Sequence, residues 1–445
     1  MSADPFSLES KISDLPPING GVITPVYQEV SSQKANSGND FPLGQQSYKW
    51  SVSGNTRWSP RHTHFVVRIT LSNAAGNDLI NNFRVAPAMG LMSNLFSSAE
   101  LRLGGKTVQR VTQFLPAIDA LLHRTTKSKP YLDTIGEASN FWANDFGVRV
   151  SEVSRFEGVG GRRTYKFDLI WKPPLMLFHT HDGYIPAGEA EILLTPQSRN
   201  NYKKNVVENY IASGESPVVA GVDYDFSVDK MVLHVATVEG PRYDDGSYAL
   251  SLDHIDCQSS KIKSDGLTQQ YFTVSPATKA LVVAYQDERT TENWVNPSRL
   301  MVAPALTSSP NDPASNLSLG LTRLFVQYSG VTKPQIDADP QYKSLEVDRT
   351  VERYWESMDE AGMLENCAGA ESLQEWQTRG PFHYFNWARD SNDASTRVQV
   401  SNEFAGLNSP AVQNSTNMNM LLFSISTTSA KITVRNGSIV TVEQM

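Results

Sequence analysis

The stretch Leu175–Leu194 reads LMLFHTHDGYIPAGEAEILL and sets His179 and His181 one residue apart, just ahead of an apolar run. Two imidazoles so spaced can share a metal ion. A barrel that holds a catalytic metal through a His-x-His pair, as cupins do, completes the set with a nearby glutamate and a further histidine from a later strand. Here the pair is followed by Asp182, Gly183, Tyr184, Ile185 and Pro186. Beyond Asp182 the next carboxylate is Glu189, and the next histidine is His234. The ligand set is incomplete by sequence, so the pair reads as a bend that carries polar, exposed histidines. His62 and His64 in RHTH read the same way. A cupin-like or carbohydrate-active enzyme using His179 and His181 is the alternative that the pair keeps open.

Other chemistry is weaker still. EGVGGRR, Glu157 to Arg163, is glycine-rich, but a strand pattern follows it and not a helix. A phosphate-cradling loop works through the helix it opens, so this is read as a hairpin loop. There is no G-x-S-x-G elbow, no H-E-x-x-H and no Walker lysine. Glycoside hydrolysis needs only two carboxylates. The pairs Asp244-Asp245 and Asp359-Glu360 fall in turn-like and helical surface contexts, where solvated charge is the ordinary reading. No catalytic, cofactor-binding or metal-binding residue is assigned. The sequons at Asn316, Asn414 and Asn436 carry no weight without a secretory route.

The elements that would have to position any site are mostly strands. HTHFVVRITLSN puts Phe65, Val67, Ile69 and Leu71 on one face. SSAELRLGGKTV alternates Ala99, Leu101 and Leu103 and then turns at Gly104-Gly105. RTYKFDLIW groups Tyr165, Phe167, Leu169 and Trp171, and GEAEILLTP and SVDKMVLHVATVEG continue the alternation. A period of two is what a sheet with one buried face requires. One helical stripe interrupts: Val111, Phe114, Leu115, Ile118, Leu121 and Leu122, with Pro116 in the first turn, where its missing N–H costs nothing.

Past Gly240 a turn-rich passage, GPRYDDGSYALSLDHIDC, separates a second set. QQYFTVS, ALVVAY, LTRLFVQYSG, FHYFNWARD, NMLLFSISTT and KITVRNGSIVTV read as strands, the last a hairpin with Asn436-Gly437 at its tip. A second helix places Val347, Val351, Tyr354, Trp355 and Met358 on one face. Many short strands with turn signals favour sandwiches or jelly rolls over parallel α/β architectures, and no propeller or solenoid period is visible. The fold class expected is all-β: two tandem jelly-roll (β-sandwich) domains with a few short inserted helices. Residues 1–45 form a partly extended N-terminal arm, 46–242 the first jelly roll and 243–445 the second.

Composition bounds the function. With 445 residues, 40% hydrophobic and 19% charged, the chain is long enough for two or three domains, and no apolar run approaches the ~20 residues of a membrane span. No basic head and apolar core opens the chain, so no secretory signal is expected. Two cysteines, Cys257 and Cys367, suit buried thiols in a reducing compartment. The net charge is −8, and residues 1–45 hold five acids against two lysines. Counterion release needs clustered cations, so direct nucleic-acid binding is not expected. The one basic cluster, HRTTKSK from His123 to Lys129, reads as a solvated helix end.

The order of segments carries a resemblance. LMSNLFSSAELRLGGKTVQ, the helix QFLPAIDALLHRTTKSKPYLDT, TYKFDLIWKPPLMLFHTHDGYIPAGEAEILLTPQSRNNYK and DKMVLHVATVEGP follow one another in this sequence. SSKIKSDGLTQQYFTVSPAT, LFVQYSGVTKPQID, the helix with YWES and GPFHYFNWARD then complete the series. In that order they resemble the major capsid proteins of polinton-like viruses, virophages and adintoviruses, collinearly from Ser47 to Val442. The resemblance implies a double jelly-roll major capsid protein whose homotrimers, pseudo-hexagonal in outline, tile an icosahedral shell. It implies no enzymatic activity and no cofactor. Its partners would be itself, as homotrimer and neighbouring capsomers, with minor capsid or penton proteins, and its location the virion shell. Long connections such as NPSRLMVAPALTSSPNDPASNLS would be outer loops or clasps. The acidic arm would lie beneath the shell, leaving genome contact to another core protein or an inner membrane. Interface candidates are the apolar residues of the second-half helix that face away from its own roll.

Overall fold

A computed structural model describes residues 26–31, 48–52, 57–73, 85–87, 90–139, 155–157, 164–181, 183–186, 188–197, 206–208, 224–238, 245–262, 266–287, 321–334, 347–364, 372–373, 376, 382–387, 395–404 and 418–444. In the first half the strands are β1 (Val26–Ser31), β2 (Tyr48–Val52), β3 (Arg57–Asn73), β4 (Val85–Pro87), β5 (Phe96–Leu103), β6 (Lys106–Val111), β7 (Arg155–Glu157), β8 (Thr164–Trp171), β9 (Ala190–Pro196), β10 (Val206–Glu208) and β11 (Tyr224–Val238). The second half has β12 (Gly246–Ile262), β13 (Gly266–Thr273), β14 (Thr278–Asp287), β15 (Leu321–Tyr328), β16 (Val331–Lys333), β17 (His383–Asn386), β18 (Arg397–Phe404), β19 (Met418–Arg435) and β20 (Ser438–Gln444). The helices are α1 (Leu91–Leu95), α2 (Leu115–Thr126), α3 (Lys129–Asp133), α4 (Leu177–Thr180) and α5 (Val347–Glu360).

The first half builds two main antiparallel sheets, β1-β11-β3-β8-β7 and β2-β9-β5-β6, and a two-stranded one, β10-β4. The second builds β12-β19-β14-β17, with β20 on β19, and β13-β18-β15-β16. These are the same arrangement twice. Taken in chain order, β1, β2, β3, β5, β6, α2, β8, β9 and β11 correspond one to one with β12 through β16, α5 and β17 through β19. Each half is thus built on an eight-stranded, two-sheet jelly roll with one main helix between the fifth and sixth strands, to which the first half adds β4, β7 and β10 and the second β20.

Alternation explains the first core. Phe65, Val67 and Ile69 of β3 point inward while Arg68 between them is exposed, and Val67 lies opposite Leu169 of β8. Trp50 of β2 meets Phe65 edge-on at 4.8 Å, and Phe96 of β5 stacks on Trp171 of β8 at 5.5 Å, so aromatic rings bridge the two sheets. In the second half Tyr328 meets Trp387 edge-on at 5.9 Å. Here the period of two breaks down: Ala280–Tyr285 of β14 and Asn419–Ser426 of β19 are buried without interruption, because the central strands are covered on both faces.

Several expectations change. Gly246–Ile262, inside the passage read as turn-rich, is a 17-residue strand paired along its whole length with β19. Tertiary pairing overrides the polar wording of SLDHIDCQSS. The first helix starts at Leu115, and Val111 ends β6. Val26–Ser31, within the stretch read as an arm, is β1 and lies on β11. The hairpin tips at Gly104-Gly105 and Asn436-Gly437 adopt the positive φ that their residues suggest. EGVGGRR joins paired strands β7 and β8, and its tip, 158–163, lies outside the described residues, as do 1–25, 32–45, Cys367, Asn316, Asn414 and 296–318.

The apolar stripe of α5 divides. Met358 is buried and Tyr354 partly so, alongside Arg353 and Ser357, while Val351 and Trp355 face outward, 41% and 61% exposed. Arg353 fixes this orientation. Its Nη2 donates to the Tyr384 carbonyl oxygen at 2.6 Å, its Nη1 to Glu356 at 2.7 Å, and its guanidinium lies 4.2 Å over the Phe385 ring. The core-facing direction is therefore set by Arg353 and Met358, and one edge of the stripe is left uncovered.

Candidate functional site

The histidine pair sits where strand β8 turns through α4 toward β9. His179 is 5% exposed, which corrects the expectation of an exposed bend. Its Nε2 donates to the Pro173 carbonyl oxygen at 3.1 Å, and its Nδ1 has no partner among the described residues. His181 is partly buried, with its Nε2 unpartnered against Gly183, where an added Cβ would come within 2.8 Å of it. His62 and His64 belong to β3, and the His64 ring lies 5.5 Å from that of His234. Among the described residues, no three His, Cys, Asp or Glu side chains form a group that could hold a metal ion. The helices among those residues include none long and apolar enough to cross a membrane.

What surrounds His179 is a closed polar knot. The His123 ring lies 6.0 Å from it, edge to face. His123 Nδ1 is 2.9 Å from the Asp119 carbonyl oxygen and 3.1 Å from Asp119 Oδ1, one helical turn back on α2. Asp119 is fully buried, and its Oδ2 accepts from Ser93 Oγ of α1 and from Trp171 Nε1 at 3.3 Å. Serine, histidine and aspartate are all present, but the serine bonds the carboxylate and not the imidazole. Each of the three is at least 95% buried. A nucleophile so placed meets neither base nor substrate. The knot ties α1, α2 and β8 together. Sequence reasoning missed Asp119 and Ser93; the signal was there, an acid in the middle of an apolar helical stripe.

The basic cluster is a solvated end only in part, its residues from Arg124 to Lys129 being half-exposed or exposed. His123 is buried, and the Arg124 guanidinium lies 4.9 Å over the Phe382 ring of the second half. Lys172 Nζ donates to the Arg61 carbonyl oxygen. Burial, then the charges of Lys127 and Arg61, push the Lys172 amine down to about 8.

Burial also holds histidines neutral. His179 and His383 lie well below the ordinary imidazole range, and His181 is pushed down to about 4. Above pH ~6.5 folded and unfolded forms are alike neutral at these rings. As pH falls below that, the unfolded chain takes up protons that the folded chain refuses, and stability is lost by up to about 2 kcal/mol per ring at pH ~5. Asp256 and Glu360, both raised by burial, act in the opposite sense as carboxylates protonate. The urea midpoint is expected to be clearly lower at pH ~5 than at pH ~7.5; an unchanged midpoint contradicts the burial of these rings.

The other constructed feature is the junction between the halves. Gln109 of β6 is 3% exposed; its Nε2 donates to the Asp253 carbonyl oxygen of β12 at 2.6 Å, and its Oε1 accepts from Leu177 N of α4 at 3.1 Å. The Asp253 carboxylate is held in turn by Lys279 and Thr427, each at 2.7 Å. Beside it, Gly188 and Gly104 approach Ile439 of β20. Apolar and polar contacts thus join β6, α2 and the β5-β6 turn to β12 and β20.

Two rolls of identical strand order, fastened side by side, define the double jelly-roll fold. Comparison with solved structures agrees. A chain of the Sputnik virophage, solved by cryo-electron microscopy, superposes with a TM-score of 0.59 at 10% identity, covering 96% of this chain and 89% of that one. The mavirus major capsid protein gives 0.54 at 12% identity, covering 100% and 95%. The Faustovirus major capsid protein gives 0.51 at 9%, covering 93% and 91%. No protein-family model matches the chain, and no curated protein matches it in sequence.

Proposed function

We propose that the chain is a major capsid protein: a structural, non-enzymatic subunit whose homotrimers, pseudo-hexagonal in outline, tile an icosahedral shell. The observation that carries this is the doubled roll, shared end to end with capsid proteins of virophages and Faustovirus. A polygon with six near-equal sides needs six near-equal blocks, and three copies of a doubled roll supply them. The roll interiors are filled by side chains, and the titratable cluster around His179 is closed to solvent, so the working surfaces are interfaces. A cupin-like enzyme using His179 and His181 draws no support from this geometry, since His179 is enclosed and, among the described residues, no third His, Cys, Asp or Glu side chain completes a metal-binding group with the pair.

On this reading residues 46–242 and 243–445 are the two rolls, a division supported by every strand pairing among the described residues falling within one half. Val26–Ser31 joins the first roll, and the remainder of 1–45 serves as the arm. Partners are further copies of the chain, with minor capsid and penton proteins at the shell's special positions; the genome is not held directly by the acidic arm. The location is the virion shell. Sedimentation of the purified chain tests the reading: a species of three times the 49.3 kDa chain mass is expected, and a monomer persisting at high concentration contradicts it.

A further inference from the structure

The two halves are built alike, yet the same position is covered in one and bare in the other. In the first half β6 and α2 are shielded by the second half. Val108, Gln109 and Val111 are at most 5% exposed, and α2 is buried from Ala117 through His123. Their counterparts in the second half are β16 and α5. On β16 Thr332 is exposed, and on α5 Val351, Glu352, Trp355 and Asp359 are exposed. Val351 and Trp355 stand one helical turn apart, so they make one continuous apolar patch. Within the chain the main cover of β6 and α2 is β12, the edge strand that opens the second roll, with β20 beside β6. The strand holding that place in the first roll is β1, likewise at a sheet edge.

We propose that α5 and β16 dock on the β1 edge of the first roll of a second copy of this chain, with Trp355 as the central buried side chain. The contact repeats between copies the step that β6 and α2 make onto β12 within one copy. It is head to tail, so three copies close a ring in which six rolls are joined by six similar steps. The inference rests on the shell-subunit reading and names the residues through which the copies join. It also accounts for the divided stripe of α5: the Val351–Trp355 edge faces a roll that the single chain does not contain.

Trp355→Glu is the direct test. Trp355 takes little part in its own roll, so the variant is expected to keep the wild-type circular dichroism and urea midpoint. A large aromatic at the centre of an interface is worth at least ~2 kcal/mol, so the concentration at which trimers dissociate is expected to rise about 30-fold or more. A folded variant that forms trimers at wild-type concentrations overturns the inference and leaves the capsid reading standing. A wild-type chain that never associates overturns both. Should the glutamate variant fold poorly, Trp355→Phe supplies a second readout. The fluorescence difference between wild type and this variant in the assembled state isolates Trp355. Blue-shifted emission shielded from iodide supports the contact, and red-shifted, quenchable emission refutes it.

Discussion

Asp119→Ala is expected to lower the stability of the folded chain by about 3–5 kcal/mol. The reason is that Ser93 Oγ loses its acceptor, while Trp171 Nε1 and His123 Nδ1 keep only the second acceptor each has, Ser93 Oγ at 3.2 Å and the carbonyl oxygen of residue 119 at 2.9 Å. Ser93 Oγ and Trp171 Nε1 both point at the carboxylate, and His123 lies against it, all in a region that water does not reach. The loss exceeds that of an ordinary hydrogen bond, because a stranded donor keeps the full cost of leaving water. Urea denaturation followed by tryptophan emission reads it directly, since Trp171 belongs to the knot. A midpoint equal to that of the wild type would mean that these groups find water, and that the knot is open.

The second large effect lies at the junction. Gly188 has φ +148, and a Cβ built there would stand 2.9 Å from Ile439 Cβ and 3.2 Å from Ile439 N. Both are parts of a paired strand, so nothing nearby can swing aside. Gly188→Val therefore combines backbone strain with a steric conflict between the halves, and is expected to cost about 3 kcal/mol or more. The damage should be read at the junction first. Limited proteolysis is expected to cut between the halves in the variant under conditions where the wild type resists. By contrast Gly105→Ala, with nothing within 4 Å, meets only the strain of its φ of +76, and leaves the junction closed. Equal protease resistance of Gly188→Val and wild type would contradict a close-packed junction.

Much of the architecture was legible because half-buried strands write their geometry into a period of two. Phe65, Val67 and Ile69, the Gly104-Gly105 turn and the Asn436-Gly437 hairpin all stand where the pattern puts them. The pattern fails where a strand loses its solvent face, as in β14 and β19, or where pairing alone makes the strand, as in β12. The duplication of the two rolls left no repeat to read. Their common strand order is a property of pairing, and pairing constrains which face is apolar, not which residue stands there.

The histidines show the opposite lesson. The His-x-His pair reads as an exposed polar bend, whereas His179 is enclosed because α4 turns it beneath the end of α2 toward His123. Spacing along the chain says nothing about which element will close over a side chain. The α5 stripe was read as one face, but the buried Arg353 decides its orientation. An arginine in an amphipathic helix is counted as surface by any hydropathy pattern, and here it is an anchor.

Single-particle imaging of the purified, concentrated chain tests the central claim most directly. The account predicts closed particles of three copies, six rolls around one axis, with α5 of each copy against the first roll of the next. Isolated double rolls, or pairs related by a two-fold axis with α5 still facing solvent, would contradict it.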